Sequence, residues 1–157
     1  MDDEIVFQVS IAVPRDSDGF IRRKCSHCER EFKWHDGPAN AEAEAHTDPE
    51  NYHCPLCGAP APASAWITDE QATLAEQAAM PQMISIIDDE LKSVFRGVRG
   101  VSYKKGDDVA PEQPEPLTEP DDMVIVSPPC HAYEPIKLPE DVPGPFHCLI
   151  CGTAFAV

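Results

Sequence analysis

Apolar and polar residues alternate near the start of the chain, where every second residue from Phe7 to Val13 is apolar. Period-two alternation is typical of a strand with one buried face. Residues 16–19 then carry the aspartate, serine and glycine of a turn. The strand pattern resumes at residues 20–24 and runs directly into Cys25. We therefore expect a β-hairpin that leads into the first cysteine pair.

The pattern changes to helical spacing further along the chain. Thr68 and Gln71 have the spacing of a capping box, in which the hydroxyl accepts from the third amide and the glutamine reaches back. Apolar residues then recur every three or four positions, at heptad spacing: Met80, Ile84, Ile87, Leu91, Val94 and Val98. We predict an amphipathic helix over 67–98, kinked or split at Pro81 because proline lacks an amide donor.

No periodic pattern is found over residues 99–122, which become acidic and rich in proline. This composition predicts an extended, disordered linker. A short strand signal at residues 123–126 and a second group of cysteines follow the linker. We therefore divide the chain into an N-terminal module (1–66), a helix (67–98), a linker (99–122) and a C-terminal module (123–157).

The overall charge bears on the possible partners. The formal net charge is −16, from 28 acidic and 12 basic residues. An acidic chain repels a phosphate backbone, which argues against nucleic acid as a partner. We find neither an apolar run long enough to span a bilayer nor a basic segment of the signal-peptide type after Met1. We therefore expect a cytoplasmic protein that makes no membrane contact.

The seven cysteines of the chain supply the clearest chemical signal. Thiols stay reduced in the cytoplasm, so cysteine pairs separated by two residues indicate metal ligands rather than disulfides. A tight turn across such a pair aims both sulfurs at one tetrahedral ion. The first predicted zinc site is Cys25, Cys28, Cys54 and Cys57. Four thiolates leave no open coordination position, so this site should be structural.

An internal repeat relates the two modules. Residues 52–59 and residues 146–153 share an aromatic residue, a histidine, two cysteines and a glycine at the same positions. Two cysteine pairs set between short strands resemble a zinc ribbon, and the resemblance extends over residues 20–60 and more weakly over 123–157. It implies a metal and a fold but no single function. The expected fold class is a small metal-stabilised α+β protein with two zinc-ribbon modules joined by a helix and a flexible linker.

The second predicted site lacks a fourth cysteine. Cys148 and Cys151 form one pair, and only Cys130 lies upstream of them in the module. The candidates for the fourth ligand are His131, His147 and Glu134. His131 is preferred, although a turn must bring it to the same side as Cys130. The repeat argues against His147, because its counterpart precedes a pair whose site already has four cysteines. A site completed by water, which would permit catalysis, and a site without metal are the alternatives.

Two further groups of residues concern partners. Basic and aromatic residues near the first cysteine pair could contact nucleic acid, or their charges could balance nearby acids: Arg22, Arg23, Lys24, Arg30, Lys33 and Trp34. The apolar stripe of the helix could be buried in its own domain, or it could bind a partner or a second copy through residues 69–96. The residues predicted for that contact are Ile84, Ile87, Leu91 and Val94.

These patterns predict a non-enzymatic interaction or adaptor protein that holds two structural zinc ions. A nucleic-acid-binding zinc ribbon with a role in transcription is one alternative. A metalloenzyme with an open second zinc site is the other.

Overall fold

A computed structural model describes residues 8–106 and 115–157 of the chain. Within these residues short antiparallel strands are combined with one long helix, so the fold is α+β, as the sequence predicts. A single 3-10 turn spans Ala63–Ala65. The other elements, in chain order, are β1 (Phe20–Lys24), β2 (Glu31–His35), α1 (Ala41–Glu44), β3 (Asn51–His53), β4 (Pro60–Pro62), α2 (Asp69–Phe95), β5 (Val124–Val126), β6 (Ile136–Leu138), β7 (Phe146–His147) and β8 (Ala154–Phe155).

The largest sheet has the strand order β1-β2-β6-β5, and each neighbouring pair is antiparallel. Its two central strands pair Lys33 with Lys137 and Trp34 with Ile136. Two small hairpins, β3–β4 and β7–β8, form separate two-stranded sheets. If β1 is matched with β5 and β2 with β6, the strand order is the same from either edge of the sheet. The internal repeat is therefore wider than the cysteine pairs alone and includes both hairpins of each half.

The described residues fall into two compact units, one of residues 13–71 and 117–157 and the other drawn from the remaining residues. The sequence predicts instead a C-terminal module, 123–157, that stands apart from the first. The structure differs because β6 completes the same sheet as β2. Strand pairing across so many residues leaves no local signal in the sequence, so the two halves could not be recognised as one unit.

The end of the predicted linker, 99–122, makes ion pairs with β1. Arg22 Nη2 lies 2.9 Å from Glu119 Oε1 and 2.6 Å from Asp122 Oδ2. These contacts fix the last residues of the segment against β1. The expectation of a disordered linker over 99–122 stays a prediction, and residues 107–114 lie outside the described residues.

The predicted leading hairpin also differs from the structure. Residues 8–13 form no strand, and residues 1–7 lie outside the described residues. β1 instead pairs with β2, from Phe20 opposite His35 to Lys24 opposite Glu31. The hairpin therefore encloses the first cysteine pair and does not precede it.

One side of the central strands packs into an apolar core. Phe32, Ile136, Leu138, Trp66 and Leu149 are each at most 1% exposed. Phe32 and Trp66 meet edge to face, with ring centroids 5.7 Å apart. Because β2 and β6 alternate their side chains, the residues between these apolar positions must point to the opposite side of the sheet.

That opposite side buries two lysines. Lys33 is 0% exposed and Lys137 is 2% exposed. Lys137 Nζ lies 2.7 Å from Asp16 Oδ2 and 2.7 Å from Asp18 Oδ2, and Lys33 Nζ lies 3.2 Å from the same oxygen of Asp16. A buried charge is tolerated only when it is paired in this way. The turn before β1 is thereby tied to the centre of the sheet.

The long helix α2 begins at the predicted capping box. The backbone amide of Gln71 donates to Thr68 Oγ1, and the backbone amide of Thr68 donates to Gln71 Oε1, each at 3.2 Å. The helix continues from Asp69 to Phe95 with Pro81 inside it, so it is not split at the proline. A kink there stays a prediction. Among the described residues, no helix is long and apolar enough to cross a membrane.

Candidate metal centres

All three cysteine pairs adopt the same backbone turn. In each, the backbone carbonyl of the first cysteine accepts a hydrogen bond from the backbone amide four residues later. The backbone amide of the same cysteine donates to the carbonyl five residues later. The first set of bonds runs from Glu29, Gly58 and Gly152 to Cys25, Cys54 and Cys148, at 2.9, 2.7 and 2.8 Å. This turn places both sulfurs of a pair on one side of the chain, as tetrahedral coordination requires.

The residue after each pair has a positive φ. It is 80° at Gly58, 74° at Gly152 and 59° at Glu29. Glycine adopts this conformation without steric cost, whereas a glutamate with its Cβ does not. The glycine after the second and third pairs therefore adopts the turn without strain, and Glu29 holds the same conformation at a cost.

The first cluster contains the four predicted cysteines, whose sulfurs lie within 4.8 Å of one another. Cys25 Sγ and Cys57 Sγ are 3.7 Å apart, and Cys28 Sγ and Cys54 Sγ are 3.8 Å apart. Sulfurs bound to one tetrahedral zinc at about 2.3 Å lie about 3.8 Å from each other. The geometry of this cluster therefore fits a zinc ion.

The surroundings of this cluster shift the pKa values of its thiols in opposite directions. Burial raises the pKa of Cys54 well above its ordinary value. Burial acts in the same direction at Cys28, but hydrogen bonds from the backbone and side chain of Arg30 outweigh it and lower the pKa of Cys28 to about 7. Backbone amides also point at the sulfurs, including that of Leu56 at 3.4 Å from Cys54 Sγ. A divalent cation would offset the cost of holding four thiolates in this buried position.

The second cluster consists of Cys130, His131, Cys148 and Cys151, with ligand atoms within 4.8 Å of one another. Cys130 Sγ lies 3.5 Å from Cys151 Sγ, and His131 Nδ1 lies 3.3 Å from Cys148 Sγ. A sulfur and a nitrogen bound to one tetrahedral zinc lie about 3.6 Å apart. The second cluster can therefore also supply four donors to one ion.

A turn brings the adjacent ligands Cys130 and His131 to the same cluster. Residues 129 and 130 lie in that turn, and the Glu134 amide donates to the His131 carbonyl at 3.0 Å. His147 takes no part in the cluster, because its Nδ1 lies 3.2 Å from the Gly152 carbonyl oxygen. The structure thus places the histidine preferred from the sequence, and not His147, beside the three cysteines.

The two clusters differ in exposure. Cys25 and Cys54 are buried in the first cluster, whereas Cys130 and Cys151 are exposed in the second. In the second cluster, burial raises the pKa of Cys148 to about 12. Burial opposes ionisation of Cys151 as well, but hydrogen bonds from Thr153 lower its pKa to about 6. The second cluster is therefore the more accessible to solvent and to competing chelators.

The repeated segments pack against each other reciprocally. The His53 amide donates to the Leu149 carbonyl and the His147 amide donates to the Pro55 carbonyl, both at 2.8 Å. A Cβ on Gly58 would lie 2.9 Å from His147 Nδ1. A Cβ on Gly152 would lie 2.6 Å from the ring of His53. Each histidine thus covers the glycine of the other pair, which explains why both repeat copies carry these residues.

A third group of possible ligands, Asp16, Asp18 and Asp121, has oxygens within 4.8 Å of one another. Lys137 already lies within 4.0 Å of a carboxylate oxygen of each. Hydrogen bonds oppose the effect of burial on Asp16 and lower its pKa to about 2, the largest of them donated by Lys137. A lysine therefore occupies the position that a cation would take. This ion-pair group was not predicted, since nothing in the spacing of Asp16 and Lys137 links them.

No family model, curated protein or solved structure matches this chain. The two clusters are compatible with zinc-ribbon-like sites. The case for function therefore depends on the geometry of the chain itself.

The basic residues predicted for nucleic-acid contact are largely engaged within the fold. Arg22 pairs with Glu31, Glu119 and Asp122. Lys24 Nζ lies 2.9 Å from Asp69 Oδ2. The other contacts are those of Lys33 in the buried ion pairs, Arg30 with the Leu56 carbonyl at 3.0 Å, and Arg23 stacked 4.7 Å from the ring of Trp34.

The residues predicted for partner contact lie on α2 and are mostly exposed. Ile84 is 51% exposed, Ile87 is 55% exposed and Val94 is 63% exposed, while Leu91 is half-buried. Only Gln71 is buried among the residues of this helix. The apolar stripe is therefore largely exposed on the surface of this helix.

Proposed function

We propose that this protein is a non-enzymatic interaction protein in which zinc ions hold the folded unit and α2 supplies the contact surface. The observation that carries the proposal is the pair of four-donor clusters. Four protein donors fill a tetrahedral zinc site and leave no position for water or substrate. The donor set of the second cluster, with His131 as its fourth member, supports a structural role over a catalytic one.

The exposed stripe on α2 supports the interaction role. Burying one aliphatic side chain of this kind stabilises an interface by about 1.5–3 kcal/mol. An exposed apolar stripe is unfavourable in a free protein and is typical of a surface that a partner covers. The neighbouring Asp88, Asp89 and Lys92 would form a polar rim around such an interface.

The test is the double substitution Ile87→Asp with Leu91→Asp in the full chain. Two carboxylates within the stripe should abolish self-association or partner capture, because an unpaired charge cannot be buried at low cost. Light scattering on the purified protein measures self-association, and a pull-down from the native host measures partner capture. The zinc content should stay at that of the unchanged protein.

The matched control is Ser85→Asp with Ser93→Asp, which adds the same charge to exposed positions away from the stripe. This control should associate like the unchanged protein. Equal association of both double variants would show that the stripe is not an interface, and the proposal would fail.

The contacts of the basic residues and of the second cluster give less support to a nucleic-acid role and to a metalloenzyme role. The ion pairs of Arg22, Lys24 and Lys33 favour an internal, charge-balancing role for these residues. The second cluster offers a complete set of four donors rather than three.

A further inference from the structure

A cavity of about 420 Å³ lies between the sheet and the segment that joins β2 to β3. This segment, residues 36–50, is about twice as long as its counterpart in the second half, residues 139–145. It therefore has no equivalent in the repeat, and neither metal cluster explains its presence.

The segment is held in place as one wall of the cavity. Asn40 caps α1 through the Ala43 amide at 2.9 Å, and its side-chain amide donates to the Tyr133 carbonyl at 3.3 Å. His46 stacks on the ring of Tyr133, with centroids 4.1 Å apart and planes 5° apart. The wall is thus fixed at both ends of α1 to Tyr133, in the segment that joins β5 to β6.

The inner surface is aromatic. Trp34 and Tyr52 line the cavity, and their ring centroids are 4.9 Å apart. The Trp34 ring also lies 4.7 Å from the guanidinium of Arg23, which is a cation–π contact within the fold. Aromatic rings attract organic cations most strongly where water is partly excluded.

The rim is acidic. Glu44, Asp48 and Glu134 line the cavity, and no lysine or arginine is among its lining residues. Burial and then the Asp48 and Glu134 carboxylates raise the pKa of Tyr52. Within the described residues, the Glu134 carboxylate accepts no hydrogen bond and makes no ion pair.

We propose that this cavity binds an alkylammonium group, which is the chemistry of a lysine side chain and of small organic amines. The aromatic floor would hold the alkyl stem, and the carboxylates of Glu134 and Asp48 would pair with the charge. The proposal goes beyond the role suggested for α2 and does not depend on it.

The experiment titrates the zinc-loaded full chain with Nα-acetyl-lysine methylamide and follows its amide and indole resonances by NMR. We expect the Trp34 indole signal to shift with a dissociation constant on the order of 1 mM. The neutral analogue Nα-acetyl-norleucine methylamide should bind at least about tenfold more weakly, because it lacks the charge. A parallel titration with butylammonium distinguishes a lysine side chain from a small organic amine as the ligand. Tighter binding of the lysine derivative than of butylammonium would indicate a protein side chain.

The variants Glu134→Gln and Asp48→Asn should each raise the dissociation constant of the lysine derivative by about tenfold, the loss expected for one charged contact. Glu140→Gln, an exposed acid outside the cavity lining, should leave it unchanged. Zinc content and the dispersion of the NMR spectrum verify that each variant is folded. No binding, equal binding of the neutral analogue, or equal weakening by Glu140→Gln would overturn the proposal.

Discussion

At the residue scale, three histidines that are each adjacent to a cysteine in the sequence have different roles. His131 directs Nδ1 at Cys148 Sγ, whereas His53 and His147 cover the glycines of the opposite pair. The difference follows from the turn at Cys130, which points the adjacent imidazole towards the same cluster. A histidine next to a cysteine pair is therefore not by itself evidence of a metal ligand.

The protein should carry about two zinc ions per chain, and His131→Ala should lower this value towards one after brief chelation. Removing one of four donors weakens a zinc site strongly, because the lost bond is replaced only by water. Elemental analysis of the dialysed protein measures the change. His147→Ala is the matched control and should keep both ions, although it loses the contact with Gly58. Loss of zinc from His147→Ala together with full retention in His131→Ala would contradict the assignment.

At the element scale, the two repeated hairpins, β3–β4 and β7–β8, are joined by their tips. Each donates a backbone hydrogen bond to the other next to a cysteine pair, and at each tip a histidine ring of the other hairpin lies directly against the glycine, where a Cβ would not fit. The exchange is reciprocal, so a change on one tip disturbs the histidine of the other.

Gly58→Ala should therefore lower the free energy of unfolding by about 2 kcal/mol or more. The residue has a φ of 80°, and the new methyl group would meet the His147 ring at 2.9 Å. Denaturant unfolding of the zinc-loaded protein measures the loss. Gly37→Ala is the control, because its φ is 83° but nothing lies within 4 Å of its Cβ position. The free energy of unfolding of that variant should fall by only about 1 kcal/mol, the cost of a positive φ for a residue with a Cβ. Equal losses in the two proteins would show that the hairpin tips are not tightly packed.

At the scale of the whole molecule, a layer of buried charge joins the two halves of the sheet. Lys33 comes from β2, Lys137 comes from β6, and Asp16 bonds to both. Removing the shared carboxylate leaves two buried ammonium groups with fewer partners. Breaking a buried pair costs more than the pair contributes, since the remaining charge stays desolvated.

Asp16→Asn should lower the free energy of unfolding at pH 7 by about 3 kcal/mol. The control is Asp36→Asn, whose partner Arg15 is 62% exposed, and it should lose less than about 1 kcal/mol. Urea unfolding of the zinc-loaded proteins measures both. Similar small losses in the two variants would show that the buried pairs do not stabilise the sheet.

The difference in the free energy of unfolding between the unchanged protein and Asp16→Asn should depend on pH in the alkaline range. Burial opposes the charge of Lys33 and Lys137, but hydrogen-bonded carboxylates outweigh it and raise the pKa of both. A raised pKa in the folded state contributes stability that is fully present below the unfolded lysine value of about 10.4 and is lost as pH rises through the folded value. The difference in the free energy of unfolding between the unchanged protein and Asp16→Asn should therefore become smaller only above about pH 10.4.

Local features of this protein were determined by the sequence alone. The cysteine spacing, the capping box at Thr68 and the repeat around residues 52–59 each depend on bonds between residues only a few positions apart. Such interactions form wherever the chain carries the right residues, so the turns and the start of α2 agree with the sequence-based expectation. The preference for His131 over His147 also came from the repeat.

Only the tertiary structure decided how the two halves meet. The pairing of β2 with β6, the buried lysines and the cavity behind residues 36–50 all join segments about a hundred residues apart. Many pairings of such short strands satisfy the same apolar pattern, and the choice among them depends on simultaneous burial of side chains from both halves. For the same reason Lys33 looked like a surface residue in the sequence, although the folded chain buries it against Asp16.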